Sequence, residues 1–243
     1  MLALVPEVIQ SLWVGDRLTV MEQLCIASFV HHGHPFHLYT YKALEGVPAG
    51  TVLMDGNEIL PESSIFKYTE HDSYAGFANF FRYKLLLERG GWWVDMDMIC
   101  IRPFEFPQPY VFSSEMESDG PHTNAGAIKV PPRSAVMTLA CLMCKQTDPK
   151  ELKWGQTGPA LLAHCVTNCC LQQYVQPPHV FCPIPYVEWS KLLDPHAPWD
   201  FSEETRAVHL WHELWRRENR SKEAAYDPAC LYEQLKKRYL PAC

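Results

Sequence analysis

Alternating and helical spacings of hydrophobic residues divide the first forty residues into three elements. Residues 8–15 form an apolar run that ends at a glycine, which predicts a buried strand followed by a turn. Residues 19–31 are typical of a helix, with Thr19 as a candidate N-cap and Glu22 as its capping-box partner. Residues 35–41 alternate between apolar and polar side chains and predict a second strand. This order predicts a parallel sheet with helices packed on its faces.

The rest of the chain continues with elements of the same kinds. Further strands are predicted at residues 52–54, 92–94, 110–113, 125–130 and 207–211. Further helices are predicted at residues 72–89, 133–145, 159–170 and 227–238. Prolines recur between residues 176 and 200, which predicts an irregular segment. Because no repeat or low-complexity linker interrupts the pattern, residues 1–243 are predicted to form one α/β domain with a mixed, mostly parallel central sheet flanked by helices.

The composition is that of a globular protein with a core, and the net charge bears on the partners that the protein can bind. Hydrophobic residues make up 47% of the 243 positions, enough for a sizeable core. The net charge is −7 and the dense basic cluster is confined to residues 236–238, so nucleic-acid binding is not expected. The sequence contains no apolar run of about 18 residues, so no transmembrane segment is expected.

The amino terminus and the cysteines bear on the compartment. Residues 1–6 have neither the basic start nor the long apolar core of a signal peptide. The ten cysteines are therefore expected to be reduced, in a protein that is cytoplasmic or peripheral to a membrane through its basic cluster. A loose zinc-site spacing is formed by Cys141, Cys144, Cys165 and Cys169. They fall in apolar, helix-like runs, so buried thiols are the favoured interpretation.

The densest chemical signal lies between residues 79 and 97. Asn79 and Arg82 are three residues apart and share one face of a predicted helix, which two glycines at 90–91 terminate. Asp95 and Asp97 follow a short apolar strand and, in strand geometry, point to the same side. Carboxylates this close repel each other unless a cation lies beside them, and oxygen ligands favour Mg²⁺ or Mn²⁺. Open α/β sheets bind ligands at the carboxyl ends of their strands, where this pair is expected.

Further residues are candidates for the same site, and the aspartates and Arg82 also have simpler interpretations. Either His209 or His212 could complete a carboxylate metal site, and packing against tryptophan is the alternative for each. Residues 115–124 are polar and are expected to form a mobile loop at the site. Taken alone, the two aspartates also fit a solvated loop, and Arg82 also fits an ordinary ion pair.

Together these features resemble the glycosyltransferases that contain a DXD motif and adopt the GT-A fold. That group includes yeast-type initiating mannosyltransferases, α-1,4-glycosyltransferases and the large clostridial glucosylating toxins. Its pattern is a polar residue, an arginine, a leucine-rich helix, two glycines, an aromatic residue and Asp-x-Asp, and residues 79–97 match it in spacing. Weaker likenesses are the first strand with Trp13, residues 154–159 and residues 209–215.

The resemblance implies an activity and a set of site residues. It implies one GT-A (Rossmann-like) domain, with a nucleotide-sugar half at residues 1–103 and an acceptor half at residues 104–243. It also implies transfer of a sugar, with retention, from a UDP-sugar to a hydroxyl of a glycan, lipid-linked or protein acceptor, with Mn²⁺ or Mg²⁺ as cofactor. The implied catalytic residues are Asp95, Asp97 and Arg82. The implied donor-binding residues are Trp13, which would stack on the base, Gln10, Asn79, Arg82 and Asp95. The implied metal ligands are Asp97, Asp95 and His209, and the implied acceptor-side residues are Gln156 and Thr157.

Asn79 departs from the family pattern. The family usually has an aspartate there, which binds hydroxyls of the donor sugar, and asparagine keeps the hydrogen bonds but not the charge. A catalytically inactive nucleotide-sugar binding module is the alternative that this substitution favours. A haloacid-dehalogenase-type phosphatase would use Asp95 as nucleophile and Asp97 as acid, but its usual downstream Gly-Asp-x-x-x-Asp motif is missing from the sequence.

Overall fold

The computed structural model describes residues 7–68 and 72–240. The expectation about a signal peptide concerns residues 1–6, which lie outside this range. The strands are β1 (Ile9–Leu12), β2 (Phe36–Thr40), β3 (Thr51–Asp55), β4 (Gly91–Val94), β5 (Met98–Cys100), β6 (Val111–Glu117), β7 (Gly120–Val130) and β8 (Ala207–His209). The helices are α1 (Val20–His31), α2 (Ala75–Arg89), α3 (Ala135–Gln146), α4 (Pro159–Asn168), α5 (Pro178–Phe181), α6 (His212–Arg217) and α7 (Leu231–Tyr239).

Six strands form the mixed central sheet that the sequence predicts. Their order is β3-β2-β1-β4-β7-β6, and the pairs among the first four strands are all parallel. β7 is antiparallel to both β4 and β6. The predicted α/β class with a mostly parallel sheet is therefore confirmed. β1 and β4 are neighbouring central strands, and their carboxyl ends lie side by side because Ile9 is in register with Trp92.

Helices cover both faces of the sheet and produce two hydrophobic clusters. Trp92 and Trp93 are adjacent in β4 and therefore point to opposite faces. Trp92 packs in the cluster that contains Leu24 of α1 and Leu235 of α7. Trp93 packs in the cluster formed mainly by α2, α3 and α4. Both faces are buried along β1 and most of β4, and the two polar residues of β1, Gln10 and Ser11, are hydrogen-bonded to carbonyls of β4 and Gly90.

Helix α1 begins as its sequence predicts. Thr19 and Glu22 form the capping box, in which the Glu22 carboxylate accepts the Thr19 backbone N–H at 2.8 Å. Glu22 is only 1% exposed and also pairs with Lys222 from the chain segment before α7. This contact attaches the carboxyl-terminal part of the protein to the start of α1.

A second, two-stranded sheet was not predicted. β5 pairs antiparallel with β8, so Met98 lies opposite His209. The sequence analysis placed a strand at residues 207–211 but gave it no partner. Each strand has three residues, too short to show a periodic pattern. This pairing brings the late histidine to the end of β4.

Three sequence expectations need correction. Residues 115–124, expected to be a mobile loop, are mostly strand in the β6–β7 hairpin, which turns at residues 118–119. The hairpin is polar because its tip projects into solvent, and polar strands resemble loops in sequence. Residues 176–200 contain α5 and a 3-10 helix, Tyr186–Leu193, and α6 was not predicted. Helix α2 begins at Ala75, three residues later than predicted.

Three of the four cysteines with the loose zinc-site spacing are buried thiols, the favoured interpretation, whereas Cys169 is only partly buried. Cys141, Cys144 and Cys165 are buried between α3 and α4. Burial raises the pKa of Cys141 and of Cys144 to about 12, so both stay protonated at neutral pH. Within the described ranges they form no metal-binding group. In the same ranges no helix combines the length and apolar character required to cross a bilayer, and the compartment stays a prediction.

Candidate functional site

A cavity of about 580 Å³ opens at the carboxyl ends of β1 and β4. Its floor includes the residues that end these strands, and its walls come from α2, the β6–β7 hairpin and the segment that follows β8. Ligands of open α/β sheets bind at this place in the fold. The cavity lining includes seven residues that the sequence analysis singled out, namely Trp13, Asn79, Arg82, Asp95, Asp97, His209 and His212.

The two aspartates lie in the turn between β4 and β5, at the carboxyl end of β4 where the sequence places them. The Asp95 N–H donates to the Gly126 carbonyl at 2.8 Å, and the Met98 N–H donates to the Asp95 carbonyl at 3.0 Å. Ser11 of β1 donates from Oγ to the Val94 carbonyl at 2.7 Å. These bonds fix the backbone on either side of the turn. Both carboxylates face the cavity, but they have different partners.

Asp95 is paired with Arg82. Arg82 Nη2 lies 2.9 Å from Asp95 Oδ1, and Trp93 Nε1 donates to the same oxygen at 2.9 Å. Arg82 also donates from Nη1 to the Ala125 carbonyl, and its guanidinium lies 5.0 Å from the Trp93 ring centroid. The Arg82 side chain is 7% exposed and that of Asp95 is 27% exposed. The guanidinium thus fixes the direction in which the Asp95 carboxylate points.

Asp97 is paired with His209. Asp97 Oδ2 lies 3.2 Å from His209 Nε2 and accepts the His212 backbone N–H at 2.8 Å. Burial alone would raise the pKa of Asp97, but the charge and hydrogen bond of His209 outweigh it and hold that pKa below its ordinary value. Burial alone would lower the pKa of His209, and the Asp97 carboxylate raises it. The contact is therefore between an ionised carboxylate and a protonated imidazole.

The His209 ring is held from two further sides. Its Nδ1 lies 3.8 Å from Cys182 Sγ, and its centroid is 3.9 Å from that of Trp211. Trp211 has a φ of 58°, in the left-handed region, and donates from Nε1 to the Ile184 carbonyl at 2.9 Å. A bulky residue in this conformation is strained, and such strain is typical of functional sites. These contacts fix the orientation of the imidazole.

The side chains of Asp95, Asp97 and His209 form one group. Their ligand atoms all lie within 4.8 Å of one another. Two carboxylates and one imidazole, opening onto a cavity, are a donor set that a hard divalent cation accepts. His212 lines the cavity but does not belong to this group, since it contributes its backbone N–H to Asp97. Of the two histidines left open by the sequence, the structure brings His209 to the carboxylates.

Trp13 and Asn79 also reach the cavity. Trp13 follows β1, is partly exposed and donates from Nε1 to the Arg17 carbonyl at 3.0 Å, which fixes its ring. Asn79 is 6% exposed and lies one turn of α2 before Arg82. Its Nδ2 would be 3.3 Å from a Cβ placed on Gly158, so glycine there allows the 154–158 turn to approach α2 closely.

Three predicted site residues are not brought to the cavity. Gln10 is buried and donates from Nε2 to the carbonyls of Gly90 and Trp92. It therefore stabilises the start of β4 and does not line the cavity. Gln156 is exposed and accepts the Lys153 N–H at 3.1 Å. Thr157 is buried behind the turn, and its carbonyl accepts a hydrogen bond from Tyr83 Oη at 3.0 Å. Their neighbours line the cavity instead, namely Trp154, Gly155 and Gly158.

The hairpin supplies two lining residues that the sequence analysis missed. Glu115 of β6 and Asn124 of β7 are both buried, and Asn124 Nδ2 donates to Glu115 Oε1 at 2.7 Å. The hairpin was taken for a loop, so nothing indicated that these side chains face inward. Toward the base of the hairpin every residue of both strands is buried, so no alternation was available to show which side chains face the cavity.

Two family models match the chain. The model described as "Glycosyltransferase sugar-binding region containing DXD motif" matches residues 21–117. The model described as "Alpha 1,4-glycosyltransferase conserved region" matches residues 141–243. Between them they leave out only residues 1–20 and 118–140. The first match contains the paired carboxylates with Asn79 and Arg82, and the second contains His209.

One curated relative and two solved structures give further comparison. The chain is 23% identical over 171 residues to the lactosylceramide 4-alpha-galactosyltransferase of Mus musculus. The aligned region covers 66% of this chain and 46% of the relative. It therefore spans less than half the length of that relative. A solved structure of the PaToxG glycosyltransferase superposes with a TM-score of 0.50 at 14% identity, covering 68% of this chain and 69% of its own. An active-site mutant of LgtC covers 96% of this chain and 97% of its own, at 10% identity and a TM-score of 0.49.

The predicted fold and family are confirmed together. The PaToxG superposition supports the expected GT-A fold. The two family models account for most of the chain, and they meet at the cavity where the carboxylates and the imidazole converge. The chain belongs to the glycosyltransferases that contain a DXD motif.

Proposed function

We propose that the protein is a metal-dependent enzyme that moves a sugar from a UDP-sugar donor to a hydroxyl of a glycan, lipid-linked or protein acceptor. The observation that carries this proposal is the group of Asp95, Asp97 and His209 at the carboxyl end of β4. It lies beside a cavity of about 580 Å³, a volume within the range of small-molecule sites. The division into a nucleotide-sugar half and an acceptor half belongs to the same proposal.

The donor set supports a Mn²⁺ or Mg²⁺ cofactor. Asp97 and His209 would be ligands, and Asp95 would contribute its second carboxylate oxygen, since Oδ1 is occupied by Arg82 and Trp93. A divalent cation here would neutralise the charge that develops on a departing diphosphate. His209 must give up its proton to bind a cation through Nε2, so cation binding would replace the Asp97–His209 ion pair.

The remaining cavity residues suit the other parts of a nucleotide-sugar. Trp13 is a rigid, partly exposed indole at the end of β1 and would stack on the base. Asn79 offers an uncharged amide to sugar hydroxyls. The Arg82 guanidinium holds the Asp95 carboxylate in place. These three side chains and the carboxylate group would orient the donor along one side of the cavity.

Retention of configuration is part of the proposal. The carboxyl-terminal region matches a family named for alpha-1,4 transfer. An α-linked product made from an α-linked donor keeps the configuration of the anomeric carbon. The phosphatase considered in the sequence analysis has no support in the family matches. The inactive binding module is distinguished from the enzyme by turnover.

The proposal is tested by turnover of a donor panel. Release of UDP from UDP-glucose, UDP-galactose and their N-acetylhexosamine counterparts is measured with Mn²⁺, with Mg²⁺ and with chelator, first with water and then with a panel of glycosides as acceptor. We expect UDP release that requires the cation and increases with a suitable acceptor. Tight UDP binding without release from any donor would establish the inactive module instead. Phosphate release from a monoester would establish a phosphatase.

A further inference from the structure

Glu115 is a buried carboxylate on the wall of the cavity. It is 8% exposed, although carboxylates are almost never fully buried unless they are paired. Its one hydrogen bond within the described residues comes from Asn124 Nδ2, and no lysine, arginine or histidine in those residues forms an ion pair with it. A buried carboxylate with one neutral partner is costly, and ligand hydroxyls can satisfy its remaining oxygen.

The position of Glu115 is rigid. Asn124 Oδ1 accepts the Gly126 N–H at 2.6 Å, and the Ser113 hydroxyl donates to the Asn124 carbonyl at 3.0 Å. The Asn124 amide is thus fixed, and it holds Glu115 Oε1 at 2.7 Å. Oε2 is left for a ligand in the cavity that Glu115 lines.

The same strand segment connects Glu115 to the donor side of the cavity. The Ala125 carbonyl accepts from Arg82, and the Gly126 carbonyl accepts from the Asp95 N–H. Residues 124–126 of β7 therefore contact both sides of the cavity. Ala125 and Gly126 bind Arg82 and Asp95, and Asn124 binds Glu115. A sugar that contacts Arg82 and Asp95 is within the cavity that Glu115 also lines.

We propose that Glu115 accepts a hydrogen bond from a hydroxyl of the donor's sugar and so contributes to the choice of that sugar. The inference rests on the proposed function, since it requires a nucleotide-sugar in this cavity. Asn79 is neutral, whereas Glu115 offers a charged acceptor from the hairpin. A site built to bind a hydroxyl rejects an analogue in which that hydroxyl is absent or inverted, because its own polar group is then left without a partner.

The Glu115→Gln variant isolates this role. Its amide carbonyl can still accept from Asn124, while the oxygen left for the ligand becomes an NH₂ donor. Glu117→Gln is the matched control, because Glu117 lies two residues further along β6 and points to the same face but is exposed outside the cavity. Calorimetry with Mn²⁺ measures the affinity of each protein for UDP, UDP-glucose, UDP-galactose and UDP-N-acetylglucosamine.

We expect Glu115→Gln to weaken binding of the preferred UDP-sugar roughly 10- to 100-fold and to leave UDP binding within about twofold, as loss of one charge-assisted hydrogen bond predicts. The ratio of affinities among the three sugars should also shrink. The control should bind every ligand as the wild type does.

Two results would overturn the inference while the proposed function stands. One is an unchanged UDP-sugar affinity in Glu115→Gln when UDP still binds. The other is an equal loss for UDP and UDP-sugar, which would make Glu115 a structural residue of the whole site. If the wild-type protein binds neither UDP nor any UDP-sugar, the proposed function itself fails, and the two failures are thereby distinguished.

Discussion

Replacement of Arg82 by methionine should lower the free energy of unfolding, because it removes the ion pair with Asp95. The pair is 2.9 Å long, and its side chains are 7% and 27% exposed. The change also removes the hydrogen bond to the Ala125 carbonyl and the contact with the Trp93 ring. Removing one partner of a buried pair costs about 3–5 kcal/mol, because the other charge stays buried.

Partial exposure of Asp95 reduces this figure. Water can reach the carboxylate, and Trp93 Nε1 still donates to it, so we expect a loss of about 2–3 kcal/mol. For a domain of this size the melting temperature should fall by about 5–10 °C. Urea unfolding followed by tryptophan fluorescence gives the free energy of unfolding directly.

The matched control lies on the same helix. Arg89 pairs with Glu58 at 2.8 Å, but both side chains are about half exposed, so Arg89→Met should cost less than about 1 kcal/mol. The double variant Arg82→Met with Asp95→Asn should be more stable than the sum of the single losses predicts, by about 1 kcal/mol or more. Equal losses for the two arginine variants, or strict additivity in the double variant, would refute this account of the pair.

Three further predictions concern the residues around the site. Tyr83→Phe should cost about 1–2 kcal/mol in urea unfolding, since Tyr83 Oη donates to the carbonyls of Thr157 and Gly158 at 3.0 and 3.2 Å; an unchanged midpoint would mean that these bonds contribute nothing. Gly126→Ala should reduce UDP release and also lower the melting temperature, because its Cβ would lie 2.8 Å from the fixed Asn124 Oδ1 and 3.5 Å from His209 Cε1; wild-type kinetics would contradict this. Burial lowers the pKa of His34, and the neutral ring accepts the Phe104 N–H through Nε2. The stability that neutral His34 contributes is therefore present above the unfolded-state pKa of about 6.5. That stability is lost as the pH falls below this value, because protonation then favours the unfolded chain. The cost of His34→Gln in urea unfolding should therefore be smaller at pH 5 than at pH 7.5, and a pH-independent cost would count against a neutral His34.

The sequence is sufficient to predict the central sheet and one half of the site. Two glycines at 90–91 end α2 and start β4, so the chain between Arg82 and Asp95 is short and its geometry is nearly fixed. The ion pair between these residues follows from local structure. The spacing of Asp95 and Asp97 alone fits both a metal site and a solvated loop, and the family resemblance favours the metal site.

The other half of the site depends on contacts between distant residues. His209 meets Asp97 because β8 pairs with β5, and neither strand is long enough to show a pattern. Glu115 faces inward because residues 115–124 form a hairpin whose polar tip obscures its strands. Gln156 and Thr157 were predicted at the cavity, but the turn at 154–158 presents its glycines there instead. Tertiary pairing of short or polar strands decides each of these outcomes, and single-sequence periodicity does not report it.

The central claim is that Asp95, Asp97 and His209 hold a divalent cation together with UDP. Electron paramagnetic resonance of free Mn²⁺ tests it directly, because the aqueous signal disappears when the ion binds. Titration of the protein with Mn²⁺, with and without UDP, is compared with the same titration of Asp97→Asn, and circular dichroism confirms that the variant folds. The account predicts one Mn²⁺ bound per wild-type chain in the presence of UDP and at least a tenfold weaker site in the variant, from loss of a charged ligand. Equal Mn²⁺ affinity in the two proteins would contradict it.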